Sequence, residues 1–313
     1  MRRERGFVLL AVLLVLTLLA VIVTELAFSA RLEASMVRSY RDRVLARHLA
    51  EAAVQQAVRE IATPAQVAAL DETGQLMFYR VLPGQTTPTP LPALRRAGVV
   101  LGPGEFSYRL TDESARLGLN SVAAQRFARL LDALGVDATE RDIIADSLQD
   151  WRDADELHRL HGAESEFYLA LPVPYRSRNA NLQHEAELLQ IRGVTPELYS
   201  GAGDRPGLSE LVTAATVSTV NLNTASPPVL KALGFSDAEI ADVVQTRVRA
   251  PYPAVPGRFA GRGLAVGSSV FRIEAEGRVG GEVRSRVVAV VQRGRKNAPL
   301  EPTILSWRPW TEP

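Results

Sequence analysis

The sequence predicts an α+β fold in which one long N-terminal helix packs on an antiparallel sheet that carries a large all-α insert. Three observations support this prediction. The first is an unbroken stretch from Phe7 to Thr63 that contains neither glycine nor proline. The second is a set of alternating segments on both sides of the middle of the chain. The third is a middle region of helical hairpins whose helices stop at glycine.

The N-terminal helix begins as a membrane-spanning segment. Phe7 to Thr24 are eighteen consecutive residues without a charge. An α-helix of that length spans about 27 Å, close to the thickness of a hydrocarbon core. Arg2, Arg3 and Arg5 precede it. The positive-inside rule therefore predicts a single span, with the N-terminus in the cytoplasm and the bulk of the chain across the membrane.

A cleavable secretory signal is the alternative interpretation, because Ala27-Phe28-Ser29-Ala30 is similar to a cleavage site. Against it, apolar residues continue at helical spacing far beyond this tetrapeptide, with charged residues on the other faces. They are Leu26, Leu32, Met36, Tyr40, Val44, Leu49, Ala53 and Val58. We therefore predict one continuous helix of about 84 Å, apolar all round at first and amphipathic afterwards.

The helical spacing of apolar residues in the middle of the chain predicts two helical hairpins. The first pairs a helix over Ser121 to Leu134 with one over Thr139 to Trp151, and Thr139 is the expected N-cap. In the second, Asn223 or Thr224 is expected to cap a helix whose first turn holds two prolines and which ends at Gly234.

The second hairpin is also similar to half of a helix-hairpin-helix, a motif found in DNA-binding proteins. That motif holds a phosphate on the amides of a Gly-hydrophobic-Gly loop. Here the loop, Gly234-Phe235-Ser236, has one glycine, and Asp237, Glu239 and Asp242 follow it. Because carboxylates repel phosphate, and because the net charge is only +1, we predict that the hairpin packs and has no nucleic-acid partner. Ser236 is the expected N-cap of its second helix.

Alternating residues predict the strands of the sheet. Val279-Gly280-Gly281 predicts a tight hairpin between the last two long strands. The expected strands cover Leu76 to Val81, Glu105 to Thr111, Ser268 to Arg278 and Glu282 to Arg293, with PTILSWRPW near the C-terminus as an edge segment.

An acidic stretch in the middle region permits two interpretations. Calcium takes about six to eight oxygen ligands from carboxylates and carbonyls in flexible loops. A solvated acidic surface paired with Arg152 and Arg159 explains the same residues equally well. The pattern is not an EF-hand, since no glycine stands at the required offset. The candidate ligands are Asp150, Asp153, Asp155, Glu164 and Glu166.

The sequence gives little support for enzyme activity or for a zinc or thiolate metal site. The chain has no cysteine, which excludes thiolate metal sites and cysteine nucleophiles. No catalytic triad, P-loop or zinc signature occurs, so we predict no enzyme activity. We expect the four histidines to be exposed, since no third metal ligand accompanies any pair of them. They are His48, His158, His161 and His184.

The start of the chain, Arg5-Gly6-Phe7-Val8-Leu9-Leu10, resembles the type IV pilin superfamily. The resemblance implies that a prepilin peptidase cleaves between Gly6 and Phe7 and that the new N-terminus at Phe7 is methylated. Most members carry Glu as the fifth mature residue, where it pairs with the N-terminal amine of the subunit above. Here that position is Ala11. The departure suggests the subunit at the tip, which has no neighbour above it.

An ordered set of motifs resembles the protein K family, the minor pseudopilins K of type II secretion systems. The set is Asp150-Trp151-Arg152-Asp153-Ala154-Asp155, Gly162-Ala163-Glu164, Pro174-Tyr175, Asn179, Glu187-Leu188, Arg192-Gly193-Val194 and Val220-Asn221-Leu222-Asn223-Thr224-Ala225. The resemblance implies a pilin-like body with a helical insert and calcium as a bound ion. It also implies an inner-membrane anchor and a periplasmic bulk.

The partners that this resemblance implies are the I- and J-type minor pseudopilins, with the secreted substrate and the outer-membrane secretin as further contacts. A minor pilin of a surface type IV pilus and a membrane-anchored DNA-binding module remain the alternatives. The predicted divisions are 1–6 (leader), 7–28 (transmembrane helix), 29–111 (first part of the body), 112–262 (helical insert) and 263–313 (last strands).

Overall fold

The computed structural model describes residues 3–294 and 301–309. The helices are α1 (Arg3–Ile61), α2 (Ala124–Ala133), α3 (Ala138–Arg152), α4 (Ser165–Leu169), α5 (Pro196–Ser200), α6 (Leu208–Leu211), α7 (Pro227–Ala232) and α8 (Asp237–Arg249). Short 3-10 turns lie at Glu113–Ala115, Glu185–Gln190 and Gly257–Phe259.

The strands fall into one main sheet and several small ones. They are β1 (Val67–Leu70), β2 (Leu76–Arg80), β3 (Thr89–Pro90), β4 (Val99–Leu101), β5 (Gly104–Asp112), β6 (Leu117–Gly118), β7 (Gly201–Ala202), β8 (Arg205–Pro206), β9 (Val212–Thr213), β10 (Val220–Asn221), β11 (Leu264–Ala265), β12 (Val270–Val279), β13 (Glu282–Gln292) and β14 (Thr303–Pro309).

The main sheet is antiparallel, in the order β14-β13-β12-β5-β4. The predicted strands correspond to β2, β5, β12 and β13, and the C-terminal segment is the edge strand β14, as expected. The placement of the first strand was wrong, because β2 pairs with β1 and β3 in a separate small sheet. Gly280 and Gly281 join β12 to β13 with φ angles of 64° and 81°. Only glycine adopts this pair of conformations at low cost, so the tight hairpin turn is confirmed.

The long helix α1 has two different halves. At about 1.5 Å per residue its 59 residues span roughly 88 Å. Every side chain from Phe7 to Arg41 is exposed. Only the C-terminal part packs on the sheet, through Ala46, Leu49, Ala50, Ala53, Val54, Ala57 and Ile61. The predicted amphipathic face is therefore buried near its end, while Leu26, Leu32, Met36 and Tyr40 on the same face remain open.

Small residues bring α1 unusually close to the sheet. A Cβ added at Gly277 of β12 would lie 1.9 Å from the backbone oxygen of Ala46. One added at Gly104 of β5 would lie 2.6 Å from Cδ1 of Leu49. Real Cβ atoms do not approach other atoms this closely, so Gly277 is required where the alanine-rich face of α1 meets the sheet. At Gly104 the nearest atom to the added Cβ is the backbone oxygen of Arg278 in β12, at 2.4 Å, so this glycine also permits the close approach of two strands.

The C-terminal end of α1 is fixed by two charged side chains. Arg293 donates to the oxygen of Ile61 at 2.8 Å, and its guanidinium lies about 5 Å from the ring centroids of Phe78 and Phe271. Burial lowers the pKa of Arg293 to about 10. Glu60 accepts hydrogen bonds from Arg96 and from the Tyr108 hydroxyl, the latter at 2.8 Å.

The chain between β5 and β12 folds around a second hydrophobic core of its own. That core includes Phe127, Leu131, Trp151, Tyr168 and Leu230, and none of them belongs to the cluster under α1. The two cores are distinct clusters of buried side chains. Polar side chains around Asp112 connect them.

Asp112, at the end of β5, is the centre of the polar junction between the two cores. Its carboxylate is buried and accepts from Asn221 Nδ2 at 3.0 Å, from Thr224 Oγ1 at 2.6 Å and from Ser268 Oγ. Asn221 Nδ2 also reaches the oxygen of Ala68 in β1, at 2.9 Å. A single site thus joins β1, β5, β10 and the segment before β12.

Two of the expected helix caps were wrong. The N-cap of α3 is Asp137, whose carboxylate accepts from the amides of Thr139 and Glu140. The N-cap of α7 is Ser226, because the prolines at the next two positions set the start of the helix. Asn223 donates to the oxygen of Tyr252 instead, and Thr224 donates to Asp112. Ser236 caps α8 in a capping box with Glu239, as expected.

We expect Gly277→Ala to lower the free energy of unfolding by several kcal/mol, on the order of 3, because the new methyl group would overlap the backbone of α1. Gly257→Ala is the matched control, since nothing lies within 4 Å of a Cβ added there. Urea unfolding of the two variants measures the difference. Equal midpoints would mean that α1 does not depend on this close approach.

We expect Asp112→Ala to cost about 3 kcal/mol, because it leaves several buried donors without an acceptor. Exposed Asp132→Ala should change stability by less than about 0.5 kcal/mol.

The same carboxyl group predicts a pH dependence of stability. Burial raises the pKa of Asp112, so the folded state binds the proton of this carboxyl group more tightly than the unfolded state does. Wild-type stability relative to Asp112→Asn should therefore fall as pH rises above the ordinary aspartate range. Denaturant unfolding at several pH values tests both effects.

Candidate metal centre and exposed helix

Three of the five predicted acidic ligands lie close together, at or near the ends of the loop between α3 and α4. Asp153 is the C-cap of α3, Asp155 lies in the loop, and Glu164 is the N-cap of α4. One carboxylate oxygen from each lies within 4.8 Å of the others. Carboxylates repel at such distances. One cation, the Arg159 guanidinium, pairs with Asp153 at 2.6 Å and offsets part of this repulsion.

Unpartnered oxygens distinguish this cluster from an ordinary acidic surface. Glu164 is only 4% exposed, and its Oε1 has no hydrogen-bond partner among the described residues. Its Oε2 accepts from Ser177 Oγ at 3.2 Å. Asp153 Oδ1 is also buried without a partner. Buried acceptors are rarely left in this state unless something else binds them, and an ion is one such partner.

The pKa of Glu164 reflects the same environment. Burial raises this pKa to about 7, and the negative charges of Asp150, Asp153 and Glu156 add to the effect. A cation beside the carboxylate would oppose both contributions and lower the pKa, because it would stabilise the ionised form.

Asn179 borders the cluster and was not among the predicted ligands. Its φ is +49°, in the left-handed region that non-glycine residues seldom adopt. Its Nδ2 donates to the oxygen of Asp155 at 3.2 Å and to Glu156 Oε1 at 2.9 Å, while its Oδ1 is buried without a partner. Because this amide is 24 residues from Asp155 in the chain, only its place in the motif set pointed to it.

The other two predicted ligands lie outside the cluster. Asp150 is fully buried and accepts from the amide of Arg159 at 3.0 Å as well as from its guanidinium. Gly162 is required beside it, since a Cβ there would lie 1.8 Å from Asp150 Oδ2. Glu166 is exposed on α4. Asp150 thus holds the loop in place, and Glu166 contacts solvent.

The histidines do not join the carboxylates. His48, His158 and His161 are exposed, as expected. His184 is half-buried and has a structural role that the sequence did not reveal, since its Nδ1 accepts from the amide of Ala186 at 2.9 Å and caps a 3-10 turn. Within the described residues, no histidine belongs to a group with metal-ligand spacing.

The predicted processing site lies in the first turns of α1. Gly6 and Phe7 are helical, and the Phe7 and Ala11 side chains are exposed, while Met1 and Arg2 of the leader lie outside the described residues. In length and composition, α1 is sufficient to cross a membrane. An apolar surface on this scale needs lipid or other helices to cover it.

Comparisons with known proteins agree with the sequence analysis. The family model for type II secretion system (T2SS) protein K matches residues 109–202. Type II secretion system protein K of Pectobacterium carotovorum is 30% identical over 189 residues, 54% of this chain and 56% of that protein. Protein K of Pseudomonas aeruginosa is 28% identical over 213 residues, 61% and 62% of the two chains. The alignments thus span less than two thirds of either relative.

A solved structure has the same fold. It is the crystal structure of the GspK-GspI-GspJ complex from the type 2 secretion system of enterotoxigenic Escherichia coli. The match has a TM-score of 0.60 and 20% identity, and it covers 90% of this chain and all of the matched chain. The resemblance to the protein K family is confirmed, as is the predicted fold class of a long apolar helix packed on an antiparallel sheet.

Proposed function

We propose that the chain is a structural minor pseudopilin at the tip of the type II secretion pseudopilus. The observation that supports this most directly is α1, whose surface is exposed from Phe7 to Arg41 while its end is locked to the sheet. The exposed apolar surface of such a helix must be covered before assembly and again after it. Lipid covers it before assembly, and neighbouring helices of the filament cover it afterwards.

Processing and position are part of the same proposal. A prepilin peptidase cleaves between Gly6 and Phe7, and Phe7 becomes the methylated N-terminus. The N-terminus faces the cytoplasm, the anchor lies in the inner membrane, and the head is periplasmic. Ala11 carries no charge, so it needs no amine from a subunit above it. An unpaired carboxylate at this depth in lipid would be costly, which is why an apolar residue suits the terminal subunit.

The proposed partners are the I- and J-type minor pseudopilins, which would pack against the open surface of α1. The matched chain comes from a structure of a GspK-GspI-GspJ complex. At the tip, the head would also be the first part to meet secreted substrate and the outer-membrane secretin. A minor pilin of a type IV pilus would use the same helix, and the protein K relatives favour the secretion system.

DNA binding is disfavoured by the loop before α8. The amide of Ser236, which a phosphate would need, donates to Glu239 Oε2 at 2.9 Å. Glu239 in turn pairs with Arg262 at 2.9 Å, which lowers the pKa of this carboxyl. A carboxylate therefore occupies the position where the motif would hold phosphate. We propose no catalytic role, because the hydroxyls beside the acidic cluster, those of Ser165 and Ser177, are buried and hydrogen-bonded to each other and to carboxylates.

The assembly proposal predicts that changes on the open part of α1 abolish partner binding without unfolding the head. Leu32→Glu with Met36→Glu adds charge to the exposed apolar surface. Recovery of I- and J-type pseudopilins with the full-length chain from detergent-solubilised membranes should fall at least about tenfold, because burying unpaired charge costs more than about 1.4 kcal/mol.

Arg31→Glu, which changes an already charged exposed position, is the control. If the double variant recovers both partners as the control does, α1 is not the assembly surface. Binding of duplex DNA that falls steeply with salt would instead favour the nucleic-acid alternative.

We further propose that Asp153, Asp155 and Glu164 hold a calcium ion, with Asn179 beside them. The support is the unpartnered Oε1 of buried Glu164 together with the three clustered carboxylates. Calcium suits this all-oxygen set, and it would add to the one positive charge that Arg159 already places on Asp153. Bound there, it would tie the end of α3 to the start of α4.

The calcium proposal predicts a stabilisation that depends on Glu164. At about a hundredfold excess over the dissociation constant, calcium should add about 2.7 kcal/mol and raise Tm by about 5 °C relative to chelator. Glu164→Gln should lose this shift, and its chelator-treated form should be at least as stable as wild type, since a buried charge is gone. Glu166→Gln, on the same helix but outside the cluster, should keep the shift. Equal shifts in both variants would place calcium elsewhere.

A further inference from the structure

The edge strand β14 carries apolar side chains that α1 leaves uncovered. In the register of the sheet, Trp307 pairs with Ala289 of β13 and Ile304 pairs with Val291. Residues paired in this way lie on the same face of a sheet. Ala289 and Val291 are fully buried in the core under α1, whereas Trp307 is 39% exposed and Ile304 is 41% exposed. The face on which α1 packs therefore continues onto β14 and is open there. We call Ile304 and Trp307 the β14 shelf.

The position of α1 explains why the shelf is open. The helix lies mainly against β12, the middle strand of the main sheet, and it contacts β5 and β13 on either side. β14 is two strands away from β12. Because neighbouring strands are about 4.8 Å apart, β14 lies roughly 9.6 Å to one side of α1. A helix with its side chains has a radius of only about 5 to 6 Å, so α1 does not reach that far.

The same spacing indicates which kind of element fits the shelf. The axes of two packed helices lie about 8 to 10 Å apart. This is also the lateral distance from α1 to β14. A second helix packed against α1 would therefore lie directly over the β14 shelf, and it would meet the continuation of the surface that α1 itself occupies.

The two flanks of α1 differ. On one flank, Gln56 donates to the oxygen of Arg95 at 2.8 Å and Glu60 pairs with Arg96, so the segment just before β4 lies against this side of the helix. Val58 is two residues from Gln56 and thus about 200° round the helix. It is only partly buried. The flank towards β14 is therefore apolar and open where the other flank is already occupied.

A further strand fits β14 less well than a helix does. The strand has a bulge at Leu305, and it is bounded by Pro302 and Pro309. Bulges and prolines keep the edge of a sheet from pairing with another chain. The opposite face of the sheet is covered beside β14, since Val290 packs with Val217. What remains open is the face beside α1.

We propose that the β14 shelf and the adjacent flank of α1 form a notch that receives the apolar N-terminal helix of an I- or J-type pseudopilin. The choice of partner rests on the function proposed above, and the notch adds the side of α1 on which that partner lies. Two side chains alone fall far short of the roughly 800 Å² per partner that a stable interface needs. A helix in the notch would also lie along the open surface of α1, so the shelf extends that surface onto the head.

The charges on this flank do not oppose an apolar helix. Arg47 and Glu51 precede Val58 on the same stripe of α1, since the spacings follow the helical repeat. They form an ion pair with each other at 3.0 Å. The flank therefore carries no net charge from this pair.

The first test locates the neighbour of the shelf by photocrosslinking. The chain has no cysteine, so one introduced cysteine is a unique attachment point. Ile304→Cys, Met36→Cys and Val100→Cys each receive a maleimide benzophenone, an apolar group, in the full-length chain purified in detergent with both partners. Met36 lies on the open part of α1, and Val100, on the opposite edge strand β4, is the exposed control. Mass spectrometry then identifies the peptide that irradiation attaches.

We expect Ile304→Cys and Met36→Cys to link to the N-terminal helix of the same partner, and Val100→Cys to link to no partner helix. If Met36→Cys links to a partner helix while Ile304→Cys links to a partner strand, to another protein or to nothing, the notch is wrong and the proposed function stands. If neither position links to a partner, both proposals are overturned. Linking from Ile304→Cys alone would place the partner on the head without α1 and would also overturn the notch.

The second test measures the contribution of the shelf to binding. Trp307→Ala should lower the recovery of that partner at least about tenfold, because aromatic side chains buried in an interface contribute strongly to affinity. Trp307→Phe keeps an apolar ring and should retain most of the recovery. Urea unfolding of both variants separates binding from loss of the fold. If Trp307→Ala is folded and recovers the partner as Trp307→Phe does, the shelf is not part of the interface.

Discussion

The buried carboxylate of Asp112 is the interaction on which the arrangement of the molecule depends. It is the one acceptor shared by Asn221, Thr224 and Ser268, which all come from the second half of the segment between β5 and β12. Polar groups buried in this way are costly unless every partner is present. The junction therefore forms only when the sheet and the helical region are both folded and in register.

A second link lies beside the first and works by charge. Arg272 of β12 pairs with buried Glu113 at 2.6 Å and with Glu185 at 2.9 Å, and the latter belongs to the helical region. Because one guanidinium serves carboxylates from both sides, movement between the two cores would leave a buried charge unpaired. This guanidinium therefore resists relative movement of the main sheet and the helical region.

The sequence predicted the parts of the fold whose signals are local. The alternation of apolar and polar residues predicted the long strands, and Gly280-Gly281 predicted the turn between β12 and β13. The long stretch without glycine or proline predicted α1. The junction could not be predicted, since Asp112 and Ser268 are 156 residues apart and neither differs locally from a surface residue. The caps failed for a related reason. Thr224 is a good cap by type, but its hydroxyl is used by Asp112, so Ser226 begins α7 instead.

The acidic stretch shows what the fold adds to composition. Five carboxylates in the sequence fitted a metal site and a solvated surface equally well. The fold separates them by their partners, because Asp150 is satisfied by Arg159, Glu166 by solvent, and Glu164 by neither at its Oε1. Groups without a partner also occur on the exposed surface of α1 and at Ile304 and Trp307 of β14, whose side chains are partly exposed. In each case a rigid, well-bonded neighbourhood presents a group that has no partner within the described chain, and these are the places where a partner from outside would bind.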